Sequence, residues 1–392
     1  MASIAKRPDG QWRARYRDDD GRERARHFDR KVDAQRWLGE VTATLVGGTY
    51  VDPTLGRQTF QAYAEAWRAT QPHRPTNAKN VEQHLRRYAY DTLGDRPLAA
   101  IRPSEVQAWA TALSSRLAPS TLHTVVNTIR AVFSAAVRDR VIAHNPCVGV
   151  TLPSVPRRRV EPLTLDQVQE IIAATPEQYR ALMVVAAGTG LRSGELFGLQ
   201  VRHIDFLRRT LTVEQQVQQL PGRSVYVGPP KTQSSYRIVP LPQVVVDALS
   251  DHLRRHPAAA DDFVFTAPEG GPIVRTSFMH AAWRPAAEAA ELRKGVGLHS
   301  LRHFYASALI RSGLSVRVVS ERLGHANAAM TLNVYAHLWP DEEDRTRRAL
   351  DDLLGSADGT HQLAPQTRSR QQAEPPRQAS LAQETLSFDL GH

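Results

Sequence analysis

Between Asn145 and Pro162 the chain carries Pro146, Pro153, Pro156 and Pro162, and no helix or inner strand can run through that stretch. Each proline lacks the N–H that a helical turn or a ladder needs, and its ring clashes with the preceding turn. The chain is therefore expected to fold as separate units joined by an extended segment. Its 392 residues, 41% of them hydrophobic, suffice for two or three cores plus a tail or linker.

On the N-terminal side of this break, residues 1–56 read as a small unit. Trp12, Ala14 and Tyr16 alternate with Arg13, Arg15 and Arg17, which is the period of a half-buried strand. Asp18-Asp19-Asp20-Gly21 is a turn signal, and Glu23 to Phe28 is a second strand that again carries Arg24 and Arg26 on one side. An arginine-studded sheet face is expected, wide enough for a major groove, followed by a helix from Asp33 to Leu45. An ordinary solvated surface is the alternative, given the acidic residues among the arginines.

Residues 57–145 read as all helical. From Ser120 to Arg140, Leu122, Val125, Val126, Ile129, Val132, Phe133, Ala136 and Val137 form one apolar stripe with i, i+3, i+4, i+7 spacing. Earlier helices are expected at Thr59–Ala69, Thr76–Tyr90 and Pro103–Leu113, with Ser104 to Gln107 as a capping box. The break itself, residues 146–161, carries Arg157, Arg158 and Arg159 as a basic linker. Thr164 to Gln167 opens a second, larger domain over residues 162–354. That domain is mainly α, with a small antiparallel sheet from strands near Thr210–Val217, Ser224–Val227 and Tyr236–Pro240. Residues 355–392, rich in Gln, Ser, Thr and Pro, are expected to be a disordered tail.

Charge narrows the partner. The formal net charge is +10, and of the 50 basic residues only Lys6, Lys31, Lys79, Lys231 and Lys294 are lysines. Arginine grips phosphate bidentately, so double-stranded nucleic acid is the leading partner class, although coding bias can produce the same excess. One cysteine, Cys147, excludes an internal disulfide and a cysteine-type zinc cage, which fits a reducing compartment. The longest apolar stretches, such as Ala181 to Ala187, are far too short for a membrane span, and no signal-type run follows Met1 to Lys6. A cytoplasmic chain with no membrane partner is expected.

Five short segments of the larger domain carry reactive side chains. Arg192 sits at a helix start with Glu195 three residues on; Lys231 lies in a hairpin; His299 and Arg302 are one helical turn apart. Gly324 is a natural left-handed C-cap that aims His325 into a cavity, and Tyr335 follows on a short helix. Taken singly, each has an ordinary explanation. Arg192 with Glu195 is then an i, i+3 ion pair, Lys231 a solvated turn residue, His299 and Arg302 a polar helix face, His325 a cap and Tyr335 core. His303 and His337 are read as structural.

In their order and local contexts, Arg192, Lys231, His299-x-x-Arg302, His325 and Tyr335 resemble the tyrosine recombinases, specifically phage-type integrases. The resemblance implies a site-specific DNA recombinase with an N-terminal arm-binding domain, an all-α core-binding (SAM-like) domain and a mainly α catalytic domain. It implies that Arg192 and Arg302 hold the scissile phosphate, that His299 and His325 assist, and that Glu195 supports Arg192. Tyr335 is then the nucleophile that forms a 3′-phosphotyrosine, and Lys231 the acid that protonates the leaving 5′ oxygen. No cofactor, ATP or divalent metal is implied. The partners are core and arm attachment sites bound by a homotetramer, with an accessory DNA-bending or directionality protein as a further expectation. In this reading Arg13, Arg15, Arg17, Arg24, Arg26, Arg157, Arg158 and Arg159 contact DNA. Leu350, Leu353 and Leu354 make one face of a last helix, which docks either on a neighbour or on its own domain. A Xer-type resolvase or type IB topoisomerase-like enzyme is the near alternative. A non-catalytic DNA-binding regulator is the distant one, because Ser315 to Tyr335 also reads as helix-turn-helix.

Overall fold

A computed structural model describes residues 2–18, 21–47, 50–52, 54–156, 159–219, 225–230, 232–339 and 343–355. Lys231, Arg157, Arg158 and the tail beyond Gly355 lie outside the described residues.

Strands β1 (Ser3–Lys6), β2 (Trp12–Arg17) and β3 (Glu23–Phe28) form an antiparallel sheet in that order. Helix α1 (Lys31–Val46) covers one face, burying Ala34 and Leu38 against Ala14 and Tyr16. The Tyr16 and Tyr50 hydroxyls meet at 2.7 Å inside this small core. Register settles which arginines share a face. Tyr16 pairs with Arg24, Ala14 with Arg26 and Trp12 with Phe28, so Arg24 and Arg26 stand on the α1 side. Arg13, Arg15 and Arg17 stand on the other, which corrects the expectation of one arginine face. Arg24 is moreover held by Asp18 at 2.9 Å and by Asp52, and both ion pairs tie the turn and the segment after α1 to the sheet.

The next core is built from α2 (Phe60–Thr70), α3 (Pro75–His84), α4 (Pro103–Ser114) and α5 (Pro119–Arg138). Thr59 caps α2 by accepting from the Ala62 N–H. Helix α3 continues through wide π-type turns from Leu85 to Gly94, so this helical run is longer than the spacing predicts. The α4 start is set by Glu105, which accepts from the Arg102 N–H at 2.9 Å, and not by Ser104. The α5 stripe is fully buried at Leu122, Val125, Val126, Ile129, Val132 and Phe133. Each such side chain contributes about 1.5–3 kcal/mol of burial free energy, so the stripe dominates this core. Cys147 is also buried in it, and Val150 and Leu152 pack against it. The first half of the proline-rich break therefore belongs physically with the helices.

After the break, Thr164 and Gln167 form the expected capping box of α6 (Leu165–Ala174), at 3.2 and 3.0 Å. Then follow α7 (Glu177–Thr189), α8 (Ser193–Phe197), β4 (Ile204–Asp205), β5 (Thr210–Val213), β6 (Gln216–Gln219), β7 (Val225–Gly228) and β8 (Arg237–Pro240). The sheet order is β4-β5-β8, while β6 and β7 pair separately as a ribbon. The single strand predicted over Thr210–Val217 is thus broken at Glu214-Gln215. Helices α9 (Gln243–Arg255), α10 (Arg275–Phe278), α11 (Arg284–Ala289) and α12 (His299–Arg311) complete the main core with Leu182, Val185, Leu211, Val239, Val245, Trp283 and Leu301. A satellite core joins α12 to α13 (Val316–Leu323) and α14 (Ala328–Tyr335) through Tyr305, Ile310, Val319, Leu323 and Tyr335. Helix α15 (Glu343–Gly355) belongs to a second unit, and Leu350, Leu353 and Leu354 are exposed on it. Among the described residues no helix is long and apolar enough to cross a membrane.

Candidate active site

Helix α7 ends on Gly190 in the left-handed region (φ 63°), and a Cβ there would meet the Tyr305 ring at 2.3 Å. Glycine is the residue that takes this conformation without strain and leaves room for a ring. The chain then turns so that Arg192 becomes the N-cap of α8. Glu195 accepts both the Arg192 N–H at 3.0 Å and an Arg192 guanidinium N–H at 2.8 Å. A second guanidinium N–H of Arg192 reaches the Gly324 carbonyl at 2.9 Å. The i, i+3 ion pair foreseen as the ordinary explanation is therefore real, and it also fixes where Arg192 points.

Arg237, on β8, joins the cluster without any sequence motif that marks it. It donates to Glu195 at 2.8 Å, to the Ser235 carbonyl at 3.0 Å and to the Arg322 carbonyl at 2.8 Å. Burial would raise the Glu195 carboxyl, but the Arg237 hydrogen bond and the charges of Arg237 and Arg192 outweigh it and hold the group below the usual carboxylate range. Glu195 is a carboxylate shared by two arginines that arrive from different elements.

Arg302, on α12, is 2% exposed. It donates to the Gly190 carbonyl at 2.7 Å and to the Leu323 carbonyl. Burial and then the Arg192 charge push it down to about 9, which leaves it charged at neutral pH. Arg192, Arg237 and Arg302 thus oppose one buried carboxylate, and the surplus is positive. Burial, then His303 and the Arg302 and Arg192 charges, push His299 down to about 4, and burial, then the charges of Arg302, Arg192 and Arg237, push His325 down to about 4. Both rings are neutral at pH 7. His299 keeps an exposed edge, whereas His325 is half-buried and meets the Thr331 hydroxyl through Nδ1 at 2.8 Å. His325 follows Gly324, which adopts φ 63° and closes α13 as the sequence predicts.

Tyr335 is the last residue of α14 and is 1% exposed. Burial pushes its phenol up to about 12 despite the Arg302 charge. Its hydroxyl meets His303 Nδ1 at 2.6 Å, and accepts there or donates according to the imidazole tautomer. His303, read from the sequence as structural, touches the phenol oxygen. A signal was present, since His303 lies four residues after His299 on one helix, and their rings stand 4.7 Å apart. His337, by contrast, points to the Val160 carbonyl at 2.8 Å.

Arg192, Glu195, His299, Arg302, His325 and Tyr335 are brought into one cluster. Arg13, Arg15, Arg17, Arg24, Arg26 and Arg159 are not part of it. Arg159 instead lines a separate cavity of about 600 Å³ with Arg293 and Lys294. Among the described residues no group of three His, Cys, Asp or Glu side chains stands close enough to hold a metal ion. Chemically, the cluster offers fixed guanidinium donors, neutral imidazoles and a phenol, an arrangement suited to a phosphate oxyanion.

Comparison with known proteins gives matches over most of the chain. Residues 161–342 match the phage integrase family, residues 60–151 the phage integrase central domain and residues 2–47 the phage integrase N-terminal domain. A tyrosine recombinase XerC-like protein of Caldanaerobacter subterraneus is 28% identical over 78% of this chain and 84% of its own length. The putative prophage phiRv2 integrase of Mycobacterium tuberculosis is 27% identical over 84% of this chain and 89% of its own. Among solved structures, the Tn1549 transposon integrase in complex with a circular intermediate DNA has a TM-score of 0.65 at 24% identity, covering 75% of this chain and 98% of that one. A lambda integrase tetramer bound to a Holliday junction has a TM-score of 0.55 at 17% identity, covering 87% and 95%. These structural likenesses concern the fold.

Proposed function

The chain belongs to the phage integrase family of tyrosine recombinases, and from that premise we propose how its residues divide the work of a site-specific DNA recombinase acting on a phage or mobile element. The observation that carries the reading is the convergence of Arg192, His299, His325 and Tyr335, from separate helices and turns, within reach of the buried Arg302 charge. Arg192 and Arg302 bind the non-bridging oxygens of the scissile phosphate and stabilise the charge that builds in the pentacoordinate transition state. Neutral His299 and His325 donate hydrogen bonds to the same oxygens. Tyr335 attacks phosphorus, leaving a 3′-phosphotyrosine and a 5′ oxygen that takes a proton from Lys231. Glu195 and Arg237 are positioning residues for Arg192.

The covalent bond conserves the phosphodiester energy, so a 5′-hydroxyl from another strand reverses the attack and rejoins the DNA. Residues 57–145 serve as the core-binding domain, residues 162–354 as the catalytic domain and residues 1–56 as the arm-binding domain. In that last domain Arg13, Arg15 and Arg17 are the groups free of the α1 side for DNA. Four protomers assemble on paired sites, and α15 docks on a neighbour.

A nicked duplex carrying the crossover site tests the proposal, because cleavage near the nick releases a short fragment and traps the covalent intermediate. The wild-type chain yields a protein–DNA adduct without added metal or ATP, and Tyr335→Phe binds the duplex but yields none. Binding without an adduct by the wild-type chain overturns the enzyme reading and favours the regulator.

A further inference from the structure

A phenol attacking phosphorus must lose its proton, and the cluster's arginines cannot accept one. The Tyr335 hydroxyl has one hydrogen-bond partner among the described residues, Nδ1 of His303 at 2.6 Å, which accepts when the imidazole carries its proton on Nε2. His325 instead meets the Thr331 hydroxyl through Nδ1 and makes no hydrogen bond to Tyr335. By donating its proton toward His303, the phenol keeps its oxygen lone pairs free for the phosphorus.

We propose that His303 is a catalytic residue of this recombinase, the general base that takes the Tyr335 proton during strand cleavage and returns it during rejoining. The assignment rests on the reading of Tyr335 as nucleophile. The Tyr335 Oη–P bond forms, the P–O5′ bond breaks, the phenol proton moves to His303 Nδ1, and the 5′ oxygen takes its proton from a different donor, Lys231. In the reverse direction the 5′-hydroxyl attacks, the tyrosine oxygen leaves, and His303 gives the proton back.

The surroundings of His303 fit a base that is free of its proton at neutral pH. Burial and the adjacent Arg302 charge hold it below its ordinary value. His299 stands one turn before it on α12, with its ring 4.7 Å away, and Tyr335 reaches it from α14. On α14 the fully buried residues are Thr331 and Tyr335, so this contact helps to seat the helix.

Single-turnover cleavage of the nicked duplex tests the role, with the full chain as wild type, His303→Ala, His303→Gln and Tyr335→Phe. Glutamine fills the space and accepts the phenol hydrogen bond, but it cannot take the proton. Both His303 variants are expected to bind the duplex as wild type does and to cleave about 100-fold more slowly at pH 7. Their rates should climb about tenfold per pH unit between pH 7 and 9, as hydroxide replaces the missing base, while the wild-type rate stays flat there. Free imidazole should restore part of the His303→Ala rate.

Cleavage by a folded His303→Gln chain at or above the wild-type rate overturns the proposal and makes His303 a latch or a structural residue. A slow variant whose pH profile parallels wild type overturns it too. An adduct formed by Tyr335→Phe refutes the nucleophile reading itself, which is a separate failure.

Discussion

Removing Glu195 is the perturbation whose cost follows most directly from the geometry. Its side chain is 2% exposed and Arg237 is 6% exposed, so the 2.8 Å bond between them is shielded from water. A hydrogen bond to a charged group is worth about 1.5–3 kcal/mol, and breaking a buried pair by deleting one partner costs about 3–5 kcal/mol because the other charge stays buried. Arg192, a third exposed, adds less, since solvent screens it. Glu195→Ala is therefore expected to lose about 3–5 kcal/mol. For a cooperative unit of roughly 200 residues that lowers Tm by about 6–20 °C. Urea denaturation of Glu195→Ala, Arg237→Ala and the double variant supplies the cycle. The two changes should fall short of additivity by about 1–3 kcal/mol, because one interaction is lost twice. A loss below about 1 kcal/mol for Glu195→Ala, or strict additivity, refutes the claim that this carboxylate holds the arginines together.

Three further outcomes follow from the same structure. His299, His303 and His325 all have folded-state values below the ordinary 6.5, two of them about 4, so the unfolded chain binds more protons between those limits. Their contribution to stability is complete above pH 6.5 and is lost as pH falls toward about 4; chemical denaturation across that range should show the decline, and His325→Gln should flatten it. In the N-terminal sheet, Arg15→Ala should weaken arm-site DNA binding and leave Tm nearly unchanged, whereas Arg24→Ala should lower Tm, as differential scanning fluorimetry beside a binding titration will report. Gly190→Ala puts a Cβ against the Tyr305 ring at φ 63° and should cost more than about 1 kcal/mol, measured by urea denaturation; a neutral outcome contradicts the fitted turn.

Much of the site is legible in the sequence because its parts are local. Arg192 with Glu195, His299 with Arg302, and Gly324 with His325 are each set by one turn of helix or one cap, and spacing alone describes them. What stays hidden depends on tertiary approach. Arg237 reads as a strand residue, and only the packing of β8 beside α8 and the end of α13 makes it the partner of Glu195. Arg24 shows the same limit for a sheet: alternation says which residues of one strand share a face, while register decides which face of the neighbour they join. The break at Glu214-Gln215 escaped because both halves have strand-like patterns, and it is pairing that separates them.

In the proposed reaction Arg192, Arg302 and Tyr335 act on one phosphorus atom. The most direct measurement is a structure of the full chain on nicked core-site DNA with vanadate at the cleavage position. The expected result is a pentacoordinate vanadium with the Tyr335 oxygen apical, in line with the 5′ oxygen, and the guanidinium groups of Arg192 and Arg302 within hydrogen-bond distance of its equatorial oxygens. A vanadate held by other side chains, with Tyr335 still buried against His303 and away from the metal, would contradict it.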